Sequence, residues 1–371
     1  MQTDDLSVGV VYPSIGHGPT KRAAVEYGHP AHRGFARSVG ADAVVVPLTR
    51  YPLLKDTFLD DVAATHVASI PERDVYVLEN DAVLFAAPRI RRHYPDATIL
   101  HLAAASRLLG GPTVVRPDDD FGRRLKRRMN HRAELPVLRA CLTRYCDGAI
   151  AVSEYVAGEI RRFADPGFPV RVAEPYIQPE QYEALSRLDP SLSGTDAVVV
   201  GEWREHKGVD LLVRAWPRVR ERHPDAELHV VGPGYPAAYA DTLGVTLHGF
   251  VEDLEEPFES ASLYVHPART EAFGVSVVEA LCAGLPAVVT ETTGAKVAVR
   301  QVDPSLVVEP AADALAAAVN RYFALDVAER RALAERGREA AADYTEGPRV
   351  AAFREGFEDL VGDARRRRAV A

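Results

Sequence analysis

Residues 266–289 read HPARTEAFGVSVVEALCAGLPAVV. Two glutamates, Glu271 and Glu279, stand eight positions apart in it, with Phe273 and Gly274 just after the first. The apolar residues after Gly274 recur at helical spacing, which predicts a loop carrying Glu271 and a helix carrying Glu279 two turns along. The first N–H groups of a helix lack intrahelical acceptors, so the backbone around Gly274, Val275 and Ser276 is a ready anion site. A phosphate fits there. Glu271 is then placed to accept hydrogen bonds from hydroxyls of a polar ligand beside that phosphate, and Glu279 to reach another hydroxylated part of it. Either glutamate alone reads as an ordinary surface charge; the pair around a helix start gives the segment chemical meaning.

Outward from this segment, short apolar runs alternate with longer stretches of helical period. Upstream lie SLYVHPA at Ser262, VTLHGFV at Val245, ELHVVGPG at Glu227 and AVVVGEW at Ala197, and downstream PAVVTE at Pro286. Between two of these runs a helix is expected over 209–223, with Leu211, Leu212, Ala215, Trp216 and Val219 on one side. The first half repeats the pattern with VGVVYP at Val8, AVVVPL at Ala43, VYVLEN at Val75, ATILHLA at Ala97 and GAIAVSE at Gly148. Near-continuous Val, Ile and Leu is the signature of parallel strands buried on both faces, and the alternation predicts an α/β architecture of two doubly wound halves. A turn-rich stretch over 175–195 divides them, which gives expected domains of 1–180 and 181–345 and a C-terminal helix, 346–371, with a basic tail, packing back on the first domain. Ligands of such sheets bind at the carboxyl ends of strands, so the chemistry is to be sought in the loops that follow them.

Composition agrees with two ordinary globular domains: 371 residues, 47% hydrophobic, 26% charged. Disorder and fibrous repeats are excluded. No run of 18 to 20 uncharged apolar residues is present, and the first residues lack a basic segment followed by an apolar one, so a cytoplasmic protein is expected. Cys141, Cys146 and Cys282 match no zinc spacing and read as small core residues. Net charge is −9, yet six Arg or Lys fall within the ten residues from Arg123 to Arg132. They open a segment, 121–146, in which Leu125, Met129, Leu135, Leu138 and Leu142 recur about once per turn; a helix is expected there, bent at Pro136. The cluster admits three readings: a solvated helix face, nucleic-acid binding, or attraction to an anionic membrane surface. Absent interleaved aromatics and an acidic chain disfavour nucleic acid.

The Glu pair lies in EAFGVSVVEALCAGLPAVV, which resembles, nearly position by position, the motif of the retaining glycosyltransferases of family 4 (glycosyl transferases group 1). VVVGEWREHKGVDLLVRAW, HVVGPG and LHGFVEDLEEPFESASLYVHPART are similar to the family's approach to that motif, and weaker likeness covers AIAVSEYVAGEI and VAEPYIQPEQY. The resemblance implies the GT-B fold, two facing Rossmann-like domains, and a sugar moved from a nucleotide-diphosphate donor to a lipid-linked, glycan or small-molecule acceptor. It implies roles as well: Glu271 on the donor's sugar hydroxyls, Glu279 on its ribose, the 273–276 backbone on its phosphates, and Lys207 on its diphosphate. His101 matches a histidine that contacts the transferred sugar, although histidine at a strand end is as often structural. No metal or other cofactor is expected.

Two departures from the family pattern stand out. Glu202 occupies a position where the family commonly has Arg, so Arg204 is the candidate substitute cation. Lys296 stands where the family often has Glu. Gly16 and Gly18, in the GHG that follows the first strand, are weaker candidates for donor binding, and His17 weaker still. The triplet Asp118, Asp119 and Asp120 resembles a metal-binding DxD, but acidic residues before a basic helix are better explained as its cap. Against the transferase stand two alternatives: a catalytically silent GT-B subunit that binds a partner, and a GT-B sugar-nucleotide epimerase.

Overall fold

The computed structural model describes residues 6–14, 30–47, 54, 57–104, 107–109 and 121–370. Gly16, His17, Gly18 and the Asp118 to Asp120 triplet lie outside the described residues. The chain divides into two compact units, one drawn from Met1–Gly111, Phe121–Pro175 and Glu346–Ala371, the other containing Tyr176–Thr345.

In the first unit, strands β1 (Val8–Ser14), β2 (Asp42–Pro47), β3 (Val75–Glu79), β4 (Thr98–Ala103), β5 (Gly148–Ala151) and β6 (Val170–Val172) form one parallel sheet in the order β2-β1-β3-β4-β5-β6. Its helices are α1 (Pro30–Ser38), α2 (Phe58–Val67), α3 (Ala87–His93), α4 (Phe121–Tyr145) and α5 (Glu154–Phe163). Every residue of β3, β4 and β5 is buried, as their mostly apolar sequences favour, and the buried Glu79, Thr98 and His101 are the polar exceptions. The long helix expected over 121–146 is present as the single helix α4, which carries Pro136 in its interior.

The second unit starts with α6 (Pro179–Leu185), inside the stretch that reads as turns. Its sheet contains β7 (Ala197–Val200), β8 (Leu228–Val231), β9 (Val245–Gly249), β10 (Leu263–His266), β11 (Ala287–Thr290) and β12 (Val307–Val308), ordered β12-β11-β10-β7-β8-β9. Around it run α7 (Val209–Arg220), α8 (Glu255–Ser260), α9 (Val275–Cys282), α10 (Lys296–Val302), α11 (Ala312–Phe323) and α12 (Val327–Ala342). The expected apolar side of α7 is real: Leu211, Leu212, Ala215, Trp216 and Val219 are all buried. Edge strand β9 differs, since Thr246 and His248 alternate outward.

The last helix, α13 (Glu346–Val370), belongs to the first unit. Phe353 stacks on Phe35 of α1 with ring centroids 4.5 Å apart. Its basic end is occupied with backbone: Arg367 donates to the Asp147 carbonyl at 2.7 Å, and Arg368 to the Ala97 carbonyl at 2.9 Å and the Asp147 carboxylate at 2.8 Å.

Each strand order fixes where a ligand site belongs. In the second unit β7 connects to β8 on one side while β10 adds on the other, so the switch point lies between the carboxyl ends of β7 and β10. In the first unit it lies, by the same reasoning, between β1 and β3.

Candidate active site

The chain leaves β7 through Gly201 and a 3-10 turn, Glu205–Lys207, that ends at Gly208. Gly208 has φ +67°, and a Cβ there would stand 2.0 Å from the Pro267 carbonyl oxygen in the loop after β10. Glycine is therefore what lets the two loops touch. Around that contact the loops are clamped: the Arg269 N–H donates to the His206 carbonyl at 2.7 Å, and its guanidinium donates to the Glu205 carbonyl at 2.9 Å and to both Asp210 oxygens at 2.6 Å. A bidentate Arg–carboxylate pair holds orientation as well as charge.

This clamp brings Lys207 to Glu271, and the ammonium donates to the Glu271 carboxylate. The Glu271 backbone is tied to the loop after β11, its N–H donating to the Thr292 carbonyl at 2.9 Å and its carbonyl accepting from Gly294 at 3.0 Å. His266, the last residue of β10, brings Nε2 to 3.4 Å from Glu271 Oε2, a charge contact longer than a good hydrogen bond. On its other side His266 Nδ1 is 3.2 Å from the Tyr264 hydroxyl, which in turn is 2.8 Å from Ser276 Oγ. Burial pushes the Glu271 pKa upward, but the Lys207 charge and His266 outweigh it and hold the carboxyl well below its ordinary range. Burial lowers His266, with Glu271 opposing, so its imidazole stays neutral beside the ion pair. His206 is pushed down to about 4 by burial, against the pull of Glu271.

Ser276 sits in the first turn of α9, whose N-cap is Gly274 at φ +92°. A Cβ at Gly274 would lie 3.3 Å from Glu271 Cγ and 3.4 Å from His266 Nε2, so the carboxylate, the imidazole and the helix start are packed together. The Phe273 side chain is buried against Tyr344, which leaves only its backbone to face a ligand. Glu279 lies half-buried farther along α9, and burial pushes its pKa up to about 7. Lys207, Glu271, Gly274, Val275 and Ser276 thus form one cluster at the switch point of the second sheet. Chemically it offers a cation, an ionised carboxylate and the N–H groups of a helix start, the set a phosphorylated, hydroxylated ligand needs.

Other expected residues fall elsewhere. Arg204 bonds Glu202 at 2.8 Å, so the carboxylate in the family's Arg position is neutralised by the candidate substitute cation. Lys296 donates to the Glu291 carbonyl. His101 does not end its strand: it is the fourth residue of β4, 0% exposed, with Nδ1 2.9 Å from the Leu78 carbonyl and Nε2 3.2 Å from Asp81 Oδ1. Its ring is a buried link between strands, with both nitrogens engaged. Helix α4 carries the basic cluster, and Phe121, Leu125 and Met129 on it are 81%, 47% and 63% exposed. Among the described residues, no group of three His, Cys, Asp or Glu is arranged to hold a metal ion, and no helix is long and apolar enough to cross a membrane.

Sequence reading missed His266, Tyr264, His206 and the Arg269–Asp210 clamp. For His266 the signal was present, since LYVH ends at the carboxyl edge of the strand that precedes the motif. The clamp has no such signal, because its members are 59 positions apart.

A family profile described as glycosyl transferases group 1 matches residues 194–324. An uncharacterised glycosyltransferase of Methanocaldococcus jannaschii is 35% identical over 105 residues, covering 26% of this chain and 27% of that protein. A GDP-mannose-dependent alpha-(1-6)-phosphatidylinositol monomannoside mannosyltransferase of Mycolicibacterium smegmatis is 28% identical over 252 residues, 58% of this chain and 65% of that one. These matches thus span from about a quarter to just under two thirds of the relatives' own lengths. In fold, the chain is similar to sucrose-phosphate synthase from Thermosynechococcus elongatus, with TM-score 0.68, 18% identity, and 96% of this chain and 99% of that one covered. The matched residues contain β7 through α11, and with them the Lys207–Glu271 cluster. Residues 194–324 thus match the glycosyl transferases group 1 profile, and the two parallel six-stranded sheets have the GT-B fold.

Proposed function

We propose that this chain is a nucleotide-sugar-dependent glycosyltransferase that moves a hexosyl group, with retention of configuration, to a hydroxyl of a glycan, lipid-linked or small-molecule acceptor. The observation that carries the reading is the Lys207–Glu271 pair against the N-terminus of α9. In this reading the donor's phosphates take the Lys207 ammonium and the N–H groups of Gly274, Val275 and Ser276, while Glu271 accepts from sugar hydroxyls and Glu279 from the ribose. Lys207 stabilises the charge that develops on the leaving diphosphate. The protein supplies orientation and electrostatics, and the departing diphosphate itself helps deprotonate the acceptor on the same face. Arg204 bonded to Glu202 weakens the argument for a silent subunit, because that carboxylate does not confront the phosphates uncompensated.

We also propose peripheral attachment to the inner face of the cell membrane through α4. Phe121, Leu125 and Met129 recur every four residues and are exposed, the first just before and the other two within the basic cluster from Arg123 to Arg132. An apolar stripe within basic residues suits an anionic lipid surface. The name of the mycobacterial relative makes GDP-mannose the first donor to try. A turnover assay of GDP-mannose and UDP-glucose, with and without candidate acceptors, tests the activity: release of nucleoside diphosphate that depends on Glu271 supports it, and no release from any nucleotide sugar argues for the silent subunit.

A further inference from the structure

Ser276, Tyr264 and His266 form a chain of hydrogen-bonding groups that runs from the start of α9 to Glu271. Ser276 Oγ is 2.8 Å from the Tyr264 hydroxyl, and that hydroxyl is 3.2 Å from His266 Nδ1. His266 Nε2 then stands 3.4 Å from Glu271 Oε2. The two inner members are buried, whereas Ser276, at the outer end, is half-buried. One end of the chain is thus where phosphates are proposed to bind, and the other is the carboxylate proposed to hold the sugar.

Burial raises the Tyr264 phenol and lowers the His266 imidazole, so both are neutral and each group of the chain carries one exchangeable proton. Two proton orders satisfy the inner links. In the first, Nε2 carries the imidazole proton, Tyr264 donates to Nδ1, and Ser276 donates to Tyr264. In the second, Nδ1 donates to Tyr264, Tyr264 donates to Ser276, and Nε2 is bare. Glu271 selects the first order, because its ionised carboxyl attracts an N–H at Nε2 and repels a lone pair there. An anion at the N-terminus of α9 selects the second. In the first order Ser276 has given its proton to Tyr264 and turns only lone pairs outward; in the second its O–H is free for a charge-assisted bond.

We propose that His266 and Tyr264 are positioning residues that couple the two ends: a phosphate that takes the Ser276 hydroxyl reverses the chain and moves the imidazole proton from Nε2 to Nδ1. The Ser276 and Tyr264 hydroxyls rotate and keep their own protons. The imidazole gives one proton to water from Nε2 and takes one from water at Nδ1, so the count is unchanged. Glu271, relieved of the N–H, is then free for the sugar hydroxyls, and the bare Nε2 is a second acceptor beside it. The inference rests on the glycosyltransferase reading only in taking that phosphate to be the donor's.

Long-range proton–nitrogen NMR on the full chain, labelled with nitrogen-15 at histidine, reads the tautomer directly. The chain has 12 histidines, and the signals missing from His266→Gln identify His266. With saturating inorganic pyrophosphate as the probe, the protonated nitrogen of wild-type His266 should change from Nε2 to Nδ1. Ser276→Ala should bind pyrophosphate about three- to tenfold more weakly, as expected for one lost hydrogen bond, and keep the proton on Nε2 at saturation. Tyr264→Phe should keep it there too, and the half-buried Ser276→Ala decides if that variant fails to fold. An unchanged tautomer in the wild type, no binding of pyrophosphate, or a change that persists in Ser276→Ala overturns the proposal. Turnover of GDP-mannose and UDP-glucose by the same samples separates the two readings. Turnover with a fixed tautomer removes the coupling and leaves the transferase, whereas a Ser276-dependent change without turnover keeps the coupling and counts against the transferase.

Discussion

His266 Nε2 lies 3.4 Å from the same Glu271 oxygen that takes the Lys207 ammonium. One carboxylate therefore faces a cation on one side and a neutral imidazole on the other, and the helix α9 starts against the carboxylate's side chain and the imidazole. Removal of the carboxylate takes away the acceptor proposed to hold the donor's sugar hydroxyls and the group that positions Lys207. Glu271→Ala should thus lower donor turnover about a hundredfold or more while the fold persists, since its backbone, not its side chain, ties the loop to residues 292–294. Parallel turnover and thermal-melt measurements check this. Near-wild-type turnover by a folded Glu271→Ala protein would remove the motif from the mechanism.

The Arg204–Glu202 bond yields a prediction with opposite signs. If Arg204 leaves Glu202 to meet the diphosphate, Glu202→Ala frees the cation and should strengthen donor binding, whereas Arg204→Ala should weaken it. A change of about three- to tenfold in each direction is the scale expected of one partly exposed charge. Equal, small effects of both substitutions in a donor titration would make the pair a surface feature only.

Glu279 connects affinity to pH. Its folded pKa is raised from the ordinary 4.5 to about 7 by burial, so between those values the folded chain holds a proton that the unfolded chain has lost. Two consequences follow. Stability contributed by the neutral carboxyl is complete below 4.5 and is lost as pH rises through 7. Conversely, the ionised form is the better acceptor for ribose hydroxyls, so nucleoside-diphosphate affinity should rise between pH 6 and 8 and the rise should be absent in Glu279→Gln. Calorimetric titrations across that range provide the check.

Gly208 has the steepest structural requirement in the site, with φ +67° and the Pro267 carbonyl where a Cβ would be. Gly208→Ala should cost about 3 kcal/mol from backbone conformation and crowding together. Denaturant unfolding measures the loss directly, and turnover should fall with it, because the same contact carries Lys207 to Glu271.

For the membrane proposal, replacing Arg123, Arg124, Arg127 and Arg128 with Gln should release the protein from vesicles of equimolar phosphatidylglycerol and phosphatidylcholine. Each basic residue near such a surface contributes about 1 kcal/mol, screened by salt. Co-sedimentation at low and high salt decides it, with equal binding by the variant counting against attachment through α4.

Chelation is a further test. The reaction as proposed runs without a metal ion, so EDTA should leave turnover unchanged, and activity lost to EDTA and restored by Mg or Mn would assign a role to the Asp118 to Asp120 triplet.

Ten of the twelve strands of the described residues were readable as apolar runs: the inner ones because parallel strands buried on both faces leave little room for polar residues, the edge strands β2 and β9 because their one buried face still carries apolar residues. The two that were not, Val170–Val172 and Val307–Val308, are sheet edges of three and two residues, too short to form a pattern. Glu271, Gly274 and Glu279 were legible because a loop and a helix start leave local marks in sequence. His101 was misplaced by two residues: apolar neighbours on either side hide where a strand stops, and a histidine there is equally consistent with a buried link to Asp81. Lys207 against Glu271 spans 64 positions, and only the folded loops reveal that contact.

The most direct test of the central claim is calorimetric titration of GDP-mannose, UDP-glucose, GDP and UDP into the wild-type chain and Lys207→Ala. The account predicts that at least one nucleotide binds the wild type and that Lys207→Ala binds it at least about tenfold more weakly, since one charge-assisted phosphate contact is lost. Absence of binding by all four, or binding that is indifferent to Lys207, would contradict it.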